Sequence, residues 1–393
     1  MFESLELLPP DAIIGLITEC RNDPRDPKVD LGIGVYRNAA GETPVLDVVK
    51  RAEQRLIDTQ ASKAYIGSAG PADFNEAMRD LTFAGTVAND RVAMLQTPGG
   101  SGSLRVAAGV ILRAREDTTV WVSSPTWANH VPLLGGAGLN LKPYAYYDET
   151  TKALDLDGML DSLRGIPKGD IVLLHTCCHN PTGIDPDEAQ WRAIADVIVE
   201  RELLPFVDIA YQGFATDLDA DAFLIRELAG RVPEMLVANS CSKNFGLYRD
   251  RVGALFVVTA DSNARDVVQS QANNVVRTIY SMPPDHGAAV VAMILDDDKL
   301  RADWIEELTE MRERLCEMRQ LLHDALREEA PDHDFSHLVR AKGMFCFLGV
   351  SPEQVSRLKK EHSVYMVDSS RINIAGITAD NVGHIARSVA AVL

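Results

Sequence analysis

Between residues 91 and 258, short runs of apolar residues alternate with segments of helical character. The runs cover residues 93–96, 118–122, 171–175, 204–209, 235–238 and 255–258. Several of them lack the alternation of apolar and polar residues that marks a strand with one face in water, so we expect them to be buried on both faces. Buried strands separated by helices predict an α/β domain built around a mostly parallel central sheet flanked by helices.

The chain is longer than one hydrophobic core usually supports. Its 393 residues exceed the size at which a single core stops growing, so we expect two domains. Over residues 301–330, apolar positions recur at spacings of four and three, which predicts a long helix between the domains or, alternatively, a coiled coil. We assign residues 1–11 to an N-terminal arm, 12–45 and 311–393 to a discontinuous small α/β domain, and 46–310 to a large domain.

Shorter patterns predict elements near both ends of the chain. A helix is expected to begin after Asp11, which can cap it, and another is expected over residues 47–59. Residues 29–36 and 371–375 read as strands, and a last helix is expected from Thr378.

Composition excludes several classes of partner. The formal net charge of -18 argues against binding to nucleic acid or to an anionic membrane surface. No basic and apolar leader opens the sequence, and no apolar run approaches the length of a membrane span. The six cysteines show no Cys-x-x-Cys spacing, and adjacent Cys177 and Cys178 are expected to be buried thiols in a reducing cytoplasm.

A single lysine lies among small hydroxyl residues between two of the apolar runs. Lys243 is flanked by Ser240 and Ser242, and Arg251 follows eight positions later. A lysine amine condenses with a carbonyl when it is desolvated or flanked by cations, and serines with an arginine suit a phosphate dianion. These residues suggest a phosphorylated aldehyde cofactor, whereas a surface loop with a solvated lysine is the alternative for this stretch alone.

Other polar residues stand at the ends of predicted strands. The segment 97–104 is rich in glycine and opens a helix, which suits an anion, although a plain tight turn explains it equally well. Asp208 ends a buried strand and is expected to face a cation, either a protonated ring nitrogen or an arginine. His175, His179 and Asn180 resemble part of a metal site, but their spacing supplies no third ligand and disfavours zinc.

Together these motifs resemble the pyridoxal-phosphate enzymes of the aspartate and aromatic aminotransferase group, of fold type I. The resemblance runs from about residue 10 to the C-terminus. It rests on the segments at residues 31–36, 97–102, 177–183, 208–214, 242–248 and 280–284. The resemblance implies a pyridoxal 5'-phosphate cofactor and a homodimer with shared active sites.

The resemblance also implies roles for individual residues. Lys243 would hold the cofactor as a Schiff base and move the substrate's α-proton, Asp208 would pair with the ring nitrogen, and Tyr211 would hydrogen-bond the ring oxygen. The other implied cofactor contacts are Gly99, Gly100, Ser101, Trp127, His130, His175, Asn180, Ser240, Ser242, Arg251 and Tyr65 of the partner subunit. The implied substrate contacts are Gly34, Trp127, Asn180, Met282, Phe345, Arg371 and Arg277 of the partner subunit.

Three departures from aspartate-preferring relatives bear on the substrate. Met282, Ser101 and Ala64 stand where such relatives carry asparagine, threonine and, in some, asparagine. Each change makes the pocket more apolar or roomier, which favours an aromatic side chain. Retention of Arg277 implies that dicarboxylates still bind. We therefore expect a ping-pong transfer from tyrosine, phenylalanine and aspartate to 2-oxoglutarate.

Other functions stay open at this point. An aspartate aminotransferase with little aromatic activity is the first alternative, and a lyase or decarboxylase on the same cofactor is the second. A non-catalytic cofactor-binding module is disfavoured by the intact set of Lys243, Asp208, Tyr211 and Arg371. A nicotinamide dehydrogenase is disfavoured because no G-x-G-x-x-G follows a strand.

Overall fold

The computed structural model describes residues 1–8 and 12–393. In this part of the chain the helices are α1 (Ala12–Asn22), α2 (Asp47–Thr59), α3 (Ala72–Phe83), α4 (Gly99–Ala114), α5 (His130–Gly135), α6 (Leu156–Gly165), α7 (Glu188–Glu200), α8 (Phe223–Ala229), α9 (Ser262–Ile279), α10 (His286–Asp296), α11 (Asp298–Glu329), α12 (His337–Arg340), α13 (Pro352–His362) and α14 (Val382–Val392). Short 3₁₀ turns lie at Phe2–Ser4, Asn89–Arg91, Ala220–Ala222 and Ile374–Gly376. Within the same residues, no helix is both long and apolar enough to cross a bilayer.

The strands in the described residues form one large sheet and three small ones. They are β1 (Val29–Asp30), β2 (Val92–Pro98), β3 (Thr119–Ser124), β4 (Asn140–Ala145), β5 (Tyr147–Asp148), β6 (Ala153–Leu154), β7 (Ile171–His175), β8 (Leu204–Ile209), β9 (Met235–Ser240), β10 (Val252–Val258), β11 (Phe345–Phe347), β12 (Val364–Tyr365) and β13 (Arg371–Asn373).

The large sheet has seven strands in the order β2-β10-β9-β8-β7-β3-β4. Strand β10 runs antiparallel to β2 and β9, and the other pairs are parallel. The prediction of a mostly parallel sheet is therefore confirmed, and all six predicted runs are strands. Strand β4 was not predicted. It is an edge strand whose side chains are mostly not buried, and its sequence contains Lys142 and Pro143, which weaken the apolar signal.

Alternate residues of the central strands enter two hydrophobic cores. In β7, Val172 and Leu174 pack into one core, whereas Ile171 and Leu173 pack into the other. Every residue of β7, β9 and β10 is buried. Burial of an aliphatic side chain of this kind contributes about 1.5–3 kcal/mol. Both faces of the sheet are covered, which explains why these strands lack a polar alternation in the sequence.

The register of the parallel strands brings polar residues to one edge. His175 lies opposite Asp208, and Asp208 lies opposite Ala238 in the next strand. Helix α4 begins at Gly99, directly after β2. The carboxyl ends of β7, β8 and β9 therefore meet the N-terminus of α4 at the same edge of the sheet.

Two small sheets lie near the ends of the chain, and one of them joins an N-terminal strand to a C-terminal one. Strand β1 pairs with β12, and β11 pairs with β13. Helix α11 buries the predicted face, including Trp304, Leu315 and Leu322. The predicted arm, small domain and large domain stay a prediction as divided above, and the cap at Asp11 lies outside the described residues.

The strand expected over residues 29–36 was wrong beyond Asp30. The Asp30 carboxylate accepts from the backbone N–H of Gly32 at 2.9 Å, which turns the chain. The Asn373 side-chain amide then donates to the carbonyl oxygens of Ile33 and Val35, at 2.5 and 2.8 Å. Leu31 still pairs through its backbone with Tyr365 and Asn373, but beyond it side chains, instead of a partner strand, bond the backbone of Gly32, Ile33 and Val35. At the other end, the last helix begins at Val382 rather than Thr378.

Candidate functional site

A cavity of about 190 Å³ opens at the carboxyl edge of the sheet. Its lining comes from the ends of β7, β8 and β9, from the start of α4 and from the loop after β9. The lining residues are Gly100, Ser101, Leu104, Trp127, His175, Cys177, Cys178, Asn180, Asp208, Ala210, Tyr211, Ser240, Ser242, Lys243, Tyr248 and Arg251. The structure thus brings together most of the cofactor contacts expected from the sequence.

Asp208 stands at the floor of the cavity and is held by a histidine. His130 Nε2 lies 3.0 Å from Asp208 Oδ2, and the His130 ring is fully buried. Burial raises the pKa of Asp208, but the hydrogen bond from His130 and the charge of Lys243 outweigh it and keep the pKa below its usual value. Asp208 is therefore a carboxylate that can face a protonated ring nitrogen. His130 contacts the carboxylate without lining the cavity.

The Lys243 amine lies over the face of Tyr211, with Nζ 4.9 Å from the ring centroid. Burial lowers the pKa of Lys243 to about 8, Asp208 opposes this change, and Arg251 and Arg371 add to it. A substantial fraction of the amine is neutral near pH 8, and only the neutral form attacks a carbonyl. Burial raises the pKa of Tyr211, which keeps its hydroxyl as a hydrogen-bond donor.

A second corner of the cavity presents donors suited to an anion. Gly100 and Ser101 lie in the first turn of α4, where free backbone N–H groups and the helix dipole favour negative charge. The Ser240 hydroxyl lies 3.1 Å from the Ser242 hydroxyl, and the Arg251 guanidinium lies 3.4 Å from Ser242 Oγ. A Cβ on Gly99 would lie 2.6 Å from Arg251 Nη2. Only glycine leaves room for the guanidinium here.

The ring-binding side of the cavity has an unpaired polar atom. Asn180 is buried, and its Oδ1 finds no hydrogen-bond partner among residues 1–8 and 12–393. Because buried polar atoms are nearly always paired, this oxygen indicates a missing polar partner. Trp127 lines the same part of the cavity and packs edge-on against His130, with ring centroids 5.1 Å apart.

Arg371 does not line the cavity but lies near two residues that do, Lys243 and Tyr211, and it has no acidic partner in the described residues. It is 6% exposed, and no salt bridge to it occurs within the described part of the chain. Its Nη2 donates to the carbonyl of Gly32 at 2.9 Å, and the guanidinium carbon lies 4.4 Å from the centroid of the Phe345 ring. Phe345 in turn contacts Tyr211 edge-on at 6.2 Å, and a Cβ on Gly34 would lie 3.4 Å from Phe345. A buried, unpaired guanidinium calls for an anionic ligand.

Eight expected site residues do not line the cavity of this chain: Gly34, Gly99, His130, Phe345 and Arg371, described above, and Tyr65, Met282 and Arg277. Tyr65 is 94% exposed. Met282 lies nearby, since its sulfur accepts from the backbone N–H of Ile66 at 3.2 Å. Arg277 is exposed and hydrogen-bonded to Ser281. The contributions of Tyr65 and Arg277 to a partner subunit's site stay predictions.

Some residues that line the cavity were not predicted from the sequence to do so. Tyr248 is half-buried, and its hydroxyl accepts from the backbone N–H of Tyr36 at 2.9 Å. Its place within the motif at residues 242–248 was the available signal. Cys177 and Cys178 are buried free thiols, as predicted, but they also line the cavity.

The residues present fit pyridoxal phosphate. The α4 N-terminus with Ser240, Ser242 and Arg251 suits its phosphate, and Asp208 suits its ring nitrogen. The unpaired Asn180 oxygen calls for a hydrogen-bond donor that the protein alone does not supply, and the amide nitrogen of the same side chain can donate to the ring oxygen. Lys243 supplies an amine for its aldehyde.

Comparison with known proteins gives one consistent result. Residues 26–389 match the family described as Aminotransferase class I and II. The chain is 47% identical to an aspartate aminotransferase of Escherichia coli K12, with all of both chains covered. It is also 47% identical to a tyrosine aminotransferase of Rhizobium meliloti, with 98% of each chain covered.

Solved structures agree with the sequence relatives. An aromatic-amino-acid aminotransferase from Burkholderia pseudomallei, covalently bound to pyridoxal phosphate, superposes with a TM-score of 0.97 at 39% identity. This match covers 100% of the present chain and 99% of that one.

Proposed function

Because this chain belongs to the class I and II aminotransferases, which work with pyridoxal phosphate, we propose that it moves the amino group of an amino acid to a 2-oxo acid in the cavity described above. The observation that carries this proposal is Arg371, a buried cation with no acidic partner in the described residues. The Arg371 guanidinium lies close enough to the Lys243 amine for its positive charge to lower the pKa of Lys243. A carboxylate clamp beside a reactive amine is what an α-amino acid requires.

When bound, pyridoxal phosphate supplies an aldehyde and a ring that accepts electrons from the substrate's Cα–H bond. Asp208, backed by His130, stabilises positive charge at the position of the ring nitrogen. The backbone of Gly100 and Ser101, together with Ser240, Ser242 and Arg251, holds the phosphate against the start of α4. The Asn180 amide nitrogen and the Tyr211 hydroxyl would donate to the ring oxygen, and Trp127 would stack on the ring.

Lys243 is the acid and base in this proposal. Its neutral amine would remove the proton from the substrate's Cα, and the resulting ammonium would then donate that proton to the carbon of the cofactor's aldehyde group. Arg371 holds the α-carboxylate through its planar fork and so orients the Cα–H bond toward Nζ. Phe345 and Gly34 form the apolar wall beside that carboxylate. The two half-reactions, with an amino acid and then with a 2-oxo acid, give ping-pong kinetics.

We further propose that the substrates include tyrosine and phenylalanine as well as aspartate, with 2-oxoglutarate as the acceptor. Met282 supports the aromatic part, because it places an apolar side chain beside the Tyr65 segment. Arg277 supports the proposed binding of dicarboxylates. It lies outside the cavity of its own chain, and in the partner's cavity its guanidinium would bind the second carboxylate of the substrate. Relatives at 47% identity carry the names of both activities.

A homodimer completes the proposed site. Tyr65 and Arg277 lie outside the cavity of their own chain, so each would serve the partner's cavity. An active species that sediments as a monomer would contradict this arrangement. Six free cysteines in the described residues support a reducing, cytoplasmic setting.

The test is a single half-reaction. Protein loaded with pyridoxal phosphate is mixed with L-phenylalanine, and separately with L-aspartate, and the cofactor's absorbance is followed as aldehyde converts to amine. Conversion by both at comparable rates is expected. Conversion by aspartate alone would make the protein an aspartate aminotransferase and refute the aromatic part. Conversion by neither, or release of ammonia or carbon dioxide, would refute the proposal.

A further inference from the structure

Three buried histidines form a row that begins at Asp208 on the floor of the cavity, and the middle one, His175, lines the cavity. His130 contacts Asp208, and the ring of His175 meets His130 edge-on with centroids 5.0 Å apart. His179 stacks on the other side of His175 at 4.5 Å, with the two ring planes 27° apart. The function proposed above uses His130 and Asp208 but assigns nothing to His179.

Hydrogen bonds hold His175 only weakly. Its Nε2 lies 3.4 Å from both Thr126 Oγ1 and His130 Nδ1, and its Nδ1 lies 3.4 Å from the backbone nitrogen of Asn180. These separations exceed the usual range for hydrogen bonds to nitrogen. Burial lowers the pKa of His175 to about 3, so the ring stays neutral and gains no charge-assisted bond. Its orientation must therefore come from packing.

His179, in contrast, is held firmly on every side. Its Nδ1 lies 2.9 Å from Thr182 Oγ1 and its Nε2 lies 2.9 Å from Ser123 Oγ. Its second face stacks on Tyr146 at 3.9 Å, with ring planes 16° apart. The Tyr146 hydroxyl is fixed in turn by a 2.8 Å bond to the carbonyl of Ile184. Tyr146 and His179 form a rigid platform on which His175 lies.

The platform also joins two loops that supply the cavity. Ser123 lies near the end of β3, just before the loop that carries Trp127 and leads into α5 at His130. Thr182 follows Asn180 in the loop after β7. One imidazole therefore ties the loop that bears the stacking tryptophan to the loop that bears the ring-oxygen contact. Burial, with His175 and His130, lowers the pKa of His179 well below its usual value, so it bridges these loops as a neutral ring.

We propose that His179 is a positioning residue, which through His175 and His130 holds Asp208 against the cofactor's ring nitrogen. This inference rests on the proposed function, because it concerns the same cavity. His179 itself does not line the cavity. Its effect on the cofactor must be transmitted by the stacked rings and the two hydroxyl bonds.

The test compares four variants of the cofactor-loaded protein. His179→Asn removes the stack, His179→Phe keeps a ring without its hydrogen bonds, and Ser123→Ala removes the Nε2 partner alone. His337→Asn is the matched control, because His337 is also a buried histidine but bonds to the Phe347 carbonyl outside this cavity. The readouts are the dissociation constant of pyridoxal phosphate, the apparent pKa of its bound absorbance, and the thermal midpoint.

We expect His179→Asn to weaken cofactor binding about tenfold or more, as losses in a supporting shell commonly do. The apparent pKa of the absorbance should rise by roughly half a unit, because a ring nitrogen less firmly held in its protonated form withdraws fewer electrons from the titrating group. His179→Phe should fall between this variant and the wild type. His337→Asn should lower the thermal midpoint without moving either cofactor readout.

Unchanged cofactor affinity and absorbance pKa in His179→Asn, with only a lower thermal midpoint, would overturn the inference and leave a structural role. If His179→Asn does not fold, Ser123→Ala is the deciding variant. It should change the cofactor dissociation constant and the absorbance pKa in the same directions by smaller amounts. No change in either quantity would overturn the inference. A wild type that binds no pyridoxal phosphate would refute the proposed function and this inference with it. A wild type that transfers amino groups while the variants match it would refute this inference alone.

Discussion

Replacing Gly99 by alanine tests whether Arg251 binds the cofactor's phosphate. The added Cβ should displace the Arg251 guanidinium, and this effect can be measured apart from the backbone strain that the alanine also introduces. Gly99 has a φ of +72°, and a Cβ there would lie 2.6 Å from Arg251 Nη2 and 3.0 Å from Arg251 Cζ. The guanidinium would have to move by roughly 1 Å to restore a normal contact distance. Its present position is set by contacts to Ser242 Oγ at 3.4 Å and to the Tyr248 carbonyl at 3.1 Å.

The expected effect has two parts. An alanine at positive φ costs about 1–2 kcal/mol of folding free energy. Displacement of the guanidinium weakens a charge-assisted hydrogen bond to the phosphate, worth about 1.5–3 kcal/mol. The second part alone corresponds to a rise of roughly 10- to 150-fold in the dissociation constant of pyridoxal phosphate.

The assay is equilibrium binding of pyridoxal phosphate to apoprotein, with thermal unfolding measured in parallel. Gly85→Ala is the matched control, because Gly85 has a φ of +78° and nothing within 4 Å of the added Cβ. Both variants should lose similar folding stability, and only Gly99→Ala should lose cofactor affinity. Equal cofactor affinity in the two variants would refute the assignment of Arg251 to the phosphate.

Two further predictions concern the amine and the substrate. The rate at which apoprotein captures pyridoxal phosphate should rise with pH and level off, with a midpoint at about 8, because burial lowers the pKa of Lys243 and only the neutral amine reacts. A midpoint near the ordinary lysine value of 10.5 would show that the amine is not desolvated. Met282→Asn should lower kcat/KM for phenylalanine roughly tenfold relative to aspartate, since it removes apolar surface from the proposed substrate pocket. An unchanged ratio of the two kcat/KM values would mean that Met282 does not select the substrate.

The central fold was predictable because its strands are buried on both faces. Such strands give continuous apolar runs in the sequence, and all six runs are strands of the large sheet. Strand β4 gave no such run, because it lies at the sheet edge with most of its side chains at least partly exposed. The strand predicted after Asp30 was wrong for a different reason. Its backbone is satisfied by Asn373, which lies more than 300 residues away in the sequence, and no local pattern carries that information.

The site was predictable where residues lie in motifs at strand ends, as Asp208 and Lys243 do. The resemblance supplied their roles, and the structure places them around one cavity. Residues that act at a distance were not predictable in the same way. The Tyr146–His179–His175 stack joins residues from separate loops, and its contacts follow from three-dimensional packing. The contacts of Tyr65 and Arg277 also stay a prediction, because these residues are expected to act in the site of a partner subunit.

Reductive trapping shows whether the amine of Lys243 binds the cofactor covalently. Protein loaded with pyridoxal phosphate is treated with borohydride, digested, and analysed by mass spectrometry for the lysine that retains the reduced cofactor. We expect one modified peptide containing Lys243, and no modification at this position in Lys243→Ala, which should also fail to convert phenylalanine or aspartate. Attachment at another lysine in the wild type, or turnover near the wild-type rate in Lys243→Ala, would contradict this expectation.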